Sequence, residues 1–285
     1  MAIVTPKLFE APFITDDAGV LAGAVMLRPS TSVDRLVPIA GEPSPIAERA
    51  IEQHAVLVRT LRDLGVAVTV IEPVLQTPSE ALVGDLAVVL AQGAIIARPS
   101  WVERRAESVA VEGALVQLGI PILGRIVAPG LLDAGDVALA GDTVYVGVPR
   151  SDAGLRARSN ALGRSQLAAL TRCQGLRTVE IALASNVMRL RNVLSFVARD
   201  TAVVAPQRLD TGALAGVNLI EVVLGEECAA SVITLGERRV LANLRLRESL
   251  AQFRKAKIAV EAIDLWEFGK AGAGPFSLVL ATKRR

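Results

Sequence analysis

The chain has 285 residues, of which 52% are hydrophobic and only 3% aromatic, so its core must be aliphatic, built from Val, Leu, Ala and Ile. Its formal charge of +2 sets 26 arginines and 5 lysines against 29 acids, scattered apart from pairs such as Arg104-Arg105 and Arg238-Arg239. This argues against a nucleic-acid binder, which needs a dense basic face with stacking aromatics, and one histidine with two distant cysteines argues against a zinc centre.

Along the chain, MAIVTPKLFEAPFITDD is broken by Lys7, Glu10 and Pro12 and does not make a secretory core. AGAVMLR (22–28) reads as a strand. SPIAERAIEQHAVLVRTLRDLG (44–65) reads as a helix capped by Ser44, with Pro45 in the first turn and Gly65 past the end. Its apolar stripe is Ile46, Ala50, Ile51, His54, Leu57, Val58, Leu61 and Leu64. AVVLAQGAIIAR (87–98) is two β-branched runs around a glycine turn, followed by a helix over about 102–118 and a strand at 119–123. VALAGDTVYVGV (137–148) repeats the hairpin, with a helix starting near Ser159 and a strand at 178–182. VLSFVARDTAVVA (193–205) and ASVITLGERRVLAN (230–243) repeat it again, the latter followed by a strand at 258–262. FSLVLATK (276–283) supplies a last strand able to pair with 22–28.

Strand pairs joined by tight turns are antiparallel, so this grammar predicts a ring of five small α/β modules closed by its termini rather than a doubly wound sheet. No Pro- or Ser-rich linker divides the chain, which predicts one domain over 1–285. No apolar stretch approaches the roughly 18 residues of a membrane span, and two lone thiols suit a reduced compartment, so the expected location is the cytoplasm.

Few residues carry chemistry. His54, the only histidine, lies on the inner stripe of its helix and reads as a buried structural imidazole. Any histidine-dependent acid–base mechanism would have to use it. GALAG (212–216) and GKAGAGPFS (269–277) lack the strand–turn–helix setting of a nucleotide site. LLDAGDV (131–137) carries two acids three residues apart, Asp133 and Asp136, which need not face the same way. Cys173 falls at a helix end and Cys228 in a loop before a strand, neither placed to act as a nucleophile.

Taken together, RPS (28–30), EQHAVLVRTLRDLGVAV (52–68), GDLAVVLAQGAIIARPSWVERRAE (84–107), LDAGDV (132–137), RSNALG (158–163) and EFGKAGAGPFSLVL (267–280) resemble the dimethylarginine dimethylaminohydrolases. These are relatives of the arginine deiminases and amidinotransferases. The resemblance implies a five-bladed α/β-propeller of ββαβ repeats, with no cofactor or metal. It also implies a central site where a Cys thiolate attacks a guanidinium carbon, a His shuttles protons and a carboxylate orients the His. Acids there grip the guanidinium nitrogens, and arginines hold the α-carboxylate.

On that alignment, Ser277 stands where the family has its nucleophilic Cys, and Arg189, in Met188-Arg189-Leu190, where it has its His. Asp133 matches the orienting carboxylate. An acidic pair becomes Gly84-Asp85, and a further acid becomes Ser79. Leu82, Asp85, Arg104 and Arg158 fall on substrate-binding positions, Arg158 after an apparent insertion in VPRSDAGLRARSN. A protonated guanidinium cannot act as a base, so the sequence predicts a degenerate member in which Arg189 pairs with Asp133 or Asp85. Arg104, Arg158 and Arg189 would outnumber Asp85 and Asp133, which suits an amino acid, guanidino compound or anion as ligand. Two alternatives stand beside this. One is a divergent guanidine-modifying hydrolase with a non-standard nucleophile. The other is a structural partner of an active relative, including a homodimer, which the mean hydropathy of +0.45 would suit.

Overall fold

The computed structural model describes residues 9–73, 75–150 and 158–285, and fifteen strands among them form five sheets of three. Numbered in chain order, the first blade holds β1 (Leu21–Leu27), β2 (Ala67–Ile71) and β15 (Leu280–Arg284). The second holds β3 (Ala87–Leu90), β4 (Gly93–Ile96) and β5 (Ile122–Arg125), and the third β6 (Val137–Ala140), β7 (Thr143–Val148) and β8 (Arg177–Ala182). The fourth holds β9 (Leu194–Ala198), β10 (Thr201–Val204) and β11 (Asn218–Glu221), and the fifth β12 (Ile233–Gly236), β13 (Arg239–Asn243) and β14 (Ala259–Ile263). Every central strand runs antiparallel to one neighbour and parallel to the other.

That mixed order follows from the connections. A tight turn can only join antiparallel strands, whereas a parallel partner needs a crossover, usually a helix. The crossovers are α1 (Ala47–Asp63), α2 (Arg105–Gln117), α3 (Ala161–Arg172) and α4 (Arg247–Lys255) in the first, second, third and fifth blades. The fourth crosses through short 3-10 turns at Pro206–Arg208 and Thr211–Leu214. Blades meet through β15 on β3, β6 on β9, β9 on β12 and β12 on the central β1. Tyr145 of the third blade packs on Phe196 of the fourth, ring centroids 5.3 Å apart.

The local departures from expectation have physical causes. The last strand starts at Leu280 rather than residue 276, because Pro275–Leu278 winds into a 3-10 turn. The first helix starts at Ala47 without help from Ser44. The backbone N–H of Ile46 donates instead to Glu267 Oε2 at 2.8 Å, from the short helix α5 (Trp266–Gly269), while Glu267 N–H donates to Gln53 Oε1 at 3.0 Å. A carboxylate answers both the orphan donors and the positive end of the helix dipole, which a serine hydroxyl cannot. Gly65 does follow the helix end, with φ +84°.

Ahead of the first blade, Phe13 N–H donates to Ala91 O at 2.8 Å and Asp16 Oδ2 accepts from Gly141 N–H at 2.7 Å. Asp17 Oδ2 accepts from Leu139 N–H at 2.9 Å and from Arg191 Nη1 at 2.7 Å. The segment thus stitches the turns of the second and third blades together.

Candidate functional site

Each blade is entered through a 3-10 turn just before its first strand: Val83–Asp85, Ala134–Asp136, Leu190–Asn192, Glu227–Ala230 and Pro275–Leu278. The first, second and third of these touch in succession, the third touches the fourth, and the fifth returns to the first. The turns therefore gather side chains from blades far apart in sequence. Asp85 ends the first turn. Asp133 caps the second, its Oδ1 accepting from Gly135 N–H at 2.9 Å. Arg189 immediately precedes the third, and Ser277 sits in the fifth.

All seven residues singled out by the sequence meet in one network. Arg189 donates from Nη2 to Asp85 Oδ2 at 2.6 Å and from Nε to Asp133 Oδ2 at 3.0 Å. Arg104, at the start of α2, donates to Asp85 Oδ2 at 3.2 Å, to Glu107 Oε2 at 2.8 Å and to the Leu82 carbonyl at 2.9 Å. Ser277 Oγ donates to Asp85 Oδ1 at 2.9 Å, and Arg158 Nη1 lies 3.6 Å from Asp133 Oδ2. Asp85, Asp133, Arg189, Arg104 and Ser277 are all at least nine-tenths buried, and Arg158 is partly exposed.

Two glycines make this convergence sterically feasible. A Cβ on Gly135 would lie 2.4 Å from Arg189 Cδ, so only glycine leaves room for the arginine. A Cβ on Gly84 would lie 2.3 Å from the Phe276 carbonyl oxygen, so the turn carrying Ser277 packs directly on the Gly84 backbone. Position 84 therefore has no room for a side chain. Gly84→Ala is expected to destabilise the fold by about 2 kcal/mol through overpacking, measured by denaturant unfolding. An unchanged midpoint would mean that the turn yields.

The charges fall into a hierarchy. Against the desolvation of its burial, Asp133 and Asp85 raise the Arg189 guanidinium further, so it stays protonated. Asp133 is desolvated too, yet Arg189, Arg158 and Arg104 hold it below the ordinary carboxylate range. Burial pushes Asp85 up and Arg189 opposes it. With two protonated arginines on the same oxygen, Asp85 is best described as their shared anion. Arg158 is lowered to about 10, first by the charge of Arg189 and then by burial.

Asp136 points away from this pair. It accepts from Ser159 Oγ at 2.6 Å and from Leu190 N–H at 3.1 Å, and burial, with Asp133 next, pushes it up to about 7. A raised folded-state value means that between about pH 4 and 7 the fold keeps a proton the unfolded chain has released, so stability falls as pH rises there. His54 acts the other way. Buried on α1 with Nε2 unpartnered among the described residues, it is lowered to about 4 by burial and then by Arg28. The unfolded chain takes up that proton first, so this contribution is present above pH 6.5 and lost as pH falls towards 4. The two slopes oppose in a shared window, and the Asp136 and His54 contributions are expected to offset each other from pH 4 to 6.5. Asp136→Asn should uncover the histidine term, a loss of about 3 kcal/mol over that range. Equal pH profiles for variant and wild type would refute the assignment.

The structure corrects one expectation. Arginines do not outnumber acids, because Glu107 joins Asp85 and Asp133. Glu107 was missed by the sequence reading. Its Oε1 accepts from Thr77 Oγ1 at 2.6 Å and from Ser79 Oγ at 2.8 Å, so an acid from α2 serves the region of Ser79. The signal was available, since Arg104 and Glu107 stand three apart on one helix face. Ser159, which also accepts from Asp133 N–H at 3.0 Å, gave no signal. His54 takes no part in the network. Cys173 and Cys228 are both exposed free thiols. Most of the insertion, 151–157, lies outside the described residues. Among the described residues no cluster of His, Cys, Asp and Glu could hold a metal, and no helix is long and apolar enough to cross a membrane.

No protein-family model matches the chain. It is similar to the N(G),N(G)-dimethylarginine dimethylaminohydrolase of Streptomyces coelicolor, 33% identical over 224 residues, covering 78% of this chain and 81% of the relative. It is also similar to the enzyme of the same name from Pseudomonas aeruginosa, 29% identical over 232 residues, covering 81% and 87%. A cysteine-to-serine variant of the latter, solved in complex with citrulline, superposes with a TM-score of 0.81 at 26% identity, covering 92% of this chain and 99% of that one. The N-terminal domain of a cyanobacterial arginine dihydrolase shares the fold, with a TM-score of 0.78 at 18% identity over 92% of this chain and 98% of that one.

Proposed function

Because the chain belongs to the dimethylarginine dimethylaminohydrolase family, we propose that it is a member whose guanidinium site is filled by its own Arg189 and has lost the hydrolytic reaction. The observation that carries this is the pair of contacts from Arg189 to Asp85 and Asp133. The acid aligned with guanidinium binding already holds a guanidinium, and the carboxylate aligned with histidine orientation holds the same one. On this reading, Asp85, Arg104 and Asp133 keep the family's charge pattern as a structural network. Ser277 is its small polar neighbour, not a nucleophile, and Leu82 contributes its carbonyl.

A second reading rests on Arg158. It is partly exposed and is the one arginine of the network whose guanidinium is pushed down by like charge, so an incoming carboxylate would relieve it. The protein would then keep an amino-acid or anion site above a closed catalytic centre. Incubating concentrated protein with dimethylarginine or arginine and assaying citrulline tests the main reading. Product that disappears in Ser277→Ala would overturn it. A rise in melting temperature with amino acids, lost in Arg158→Gln, would support the second.

A further inference from the structure

A cavity of about 380 Å³ opens beside the Arg189 network, among the segments that lead into the fourth, fifth and first blades. Met188 forms the partition. Its Sδ lies 3.6 Å from Arg158 Nη2, and Gly272 fits so closely against its Cε that a Cβ there would lie 2.1 Å away. The cavity thus has a wall in common with the guanidinium site but is lined by other residues.

Two polar side chains in this wall are buried but incompletely bonded. Ser231 is 3% exposed, and its hydroxyl makes no hydrogen bond within the described residues. Asn243 is 5% exposed; its Oδ1 accepts from Arg245 N–H at 3.2 Å and its Nδ2 has no partner there. Both side chains line the cavity, so their donors face it and are placed to meet an acceptor that arrives from outside. At the rim, Arg208 is committed to Glu227 at 2.8 Å and Asn186 at 2.9 Å, whereas the carboxylate of Glu42 interacts with Arg245 through its charge and makes no hydrogen bond within the described residues. The remaining wall includes Trp266, Leu246 and Met188.

We propose that this cavity binds a small organic amide with a primary ammonium and an apolar side chain, the chemistry of an amidated apolar amino acid. The carbonyl oxygen accepts from Asn243 Nδ2 and Ser231 Oγ, the ammonium faces Glu42, and the side chain packs on Trp266 and Met188. A carboxylate in place of the amide is disfavoured, because the inner donors are neutral and the one lining cation is already paired. The proposal stands whether or not the guanidinium site is inactive.

L-leucinamide is the probe. Titrated into Trp101→Phe protein, in which Trp266 is the remaining tryptophan, it should change the fluorescence saturably with Kd of about 1 mM or tighter. Leucine, which has the carboxylate, and isoamylamine, which lacks the carbonyl, should bind at least about tenfold more weakly. Ser231→Ala and Asn243→Leu should each weaken leucinamide by a similar factor. If Asn243→Leu does not fold, Ser231→Ala carries the test. The proposal is overturned if neither fluorescence nor saturation-transfer NMR shows leucinamide binding up to about 10 mM. Equal affinity for the three compounds, or no effect of Ser231→Ala, would overturn it as well.

Discussion

Arg189→Ala is expected to cost about 3–5 kcal/mol of stability and lower Tm by about 10 °C, the largest loss of any single substitution in the network. The reason is the charges left behind. Asp85 is fully buried and Asp133 nearly so, and both give Arg189 an oxygen within 3.0 Å. Removing the cation strands two desolvated carboxylates, a much larger penalty than the pair's net worth. Removing the whole set together, as Arg189→Met with Asp85→Asn and Asp133→Asn, should recover most of the loss. Guanidinium chloride at low millimolar concentration should raise Tm of Arg189→Ala but leave wild type unmoved, because only the variant has a guanidinium-shaped vacancy beside two carboxylates. A loss below about 1 kcal/mol would show that the network relaxes, and the idea of a built-in occupant would fail.

Citrulline formation from dimethylarginine is expected to stay at least about 10⁶-fold below that of an active family member, the scale on which removing a nucleophile–base pair acts. Ser277 Oγ donates to Asp85 Oδ1, and the other oxygen of that carboxylate is shared by Arg104 and Arg189. An acid so heavily bonded is a poor base, and no imidazole belongs to the network. A substrate guanidinium would also have to displace Arg189 and leave its charge buried. Ser277→Cys alone should not restore turnover, since a thiol facing a carboxylate is pushed away from the thiolate, not towards it. Citrulline from Ser277→Cys at a rate near that of active relatives would mean that Arg189 swings clear readily, and would sink the proposal.

How much of this could be read from the sequence differed between fold and site. The four internal hairpins were legible because β-branched runs flank short turns, and the inner strands they form are almost wholly buried. The outer strands were harder. β2 and β11 escaped notice, since a half-exposed parallel edge such as Asn218–Glu221 needs neither a continuous apolar run nor strict alternation. At the site, motif order placed Asp85, Arg104, Asp133, Arg158, Arg189 and Ser277, and all six meet. What motif order could not give was the balance of charge. Glu107 lies on a helix, and only tertiary folding aims it at the cluster. Ser44 failed as a cap for the same reason, because Glu267 reaches Ile46 from the far end of the chain.

The strand pairing that completes the first blade sets Val25 opposite Leu280, so nearly the whole chain lies inside that one contact. Closing so long a loop costs roughly 3 kcal/mol more in chain entropy than closing one of the local hairpins. The hairpins should therefore form early and independently, giving an open arc of blades whose two ends find each other last. Until they do, β1 has no β15 beside it and Asp85 has no Ser277, so the arc exposes a bare strand edge together with a half-built charge cluster. A circular permutant that keeps residues 9–20, joins the segment ahead of them to Arg285 by a linker and cuts the chain at Gly141–Asp142 would turn the slowest contact into a local one. In that molecule the rate-limiting step of folding should move to the third blade.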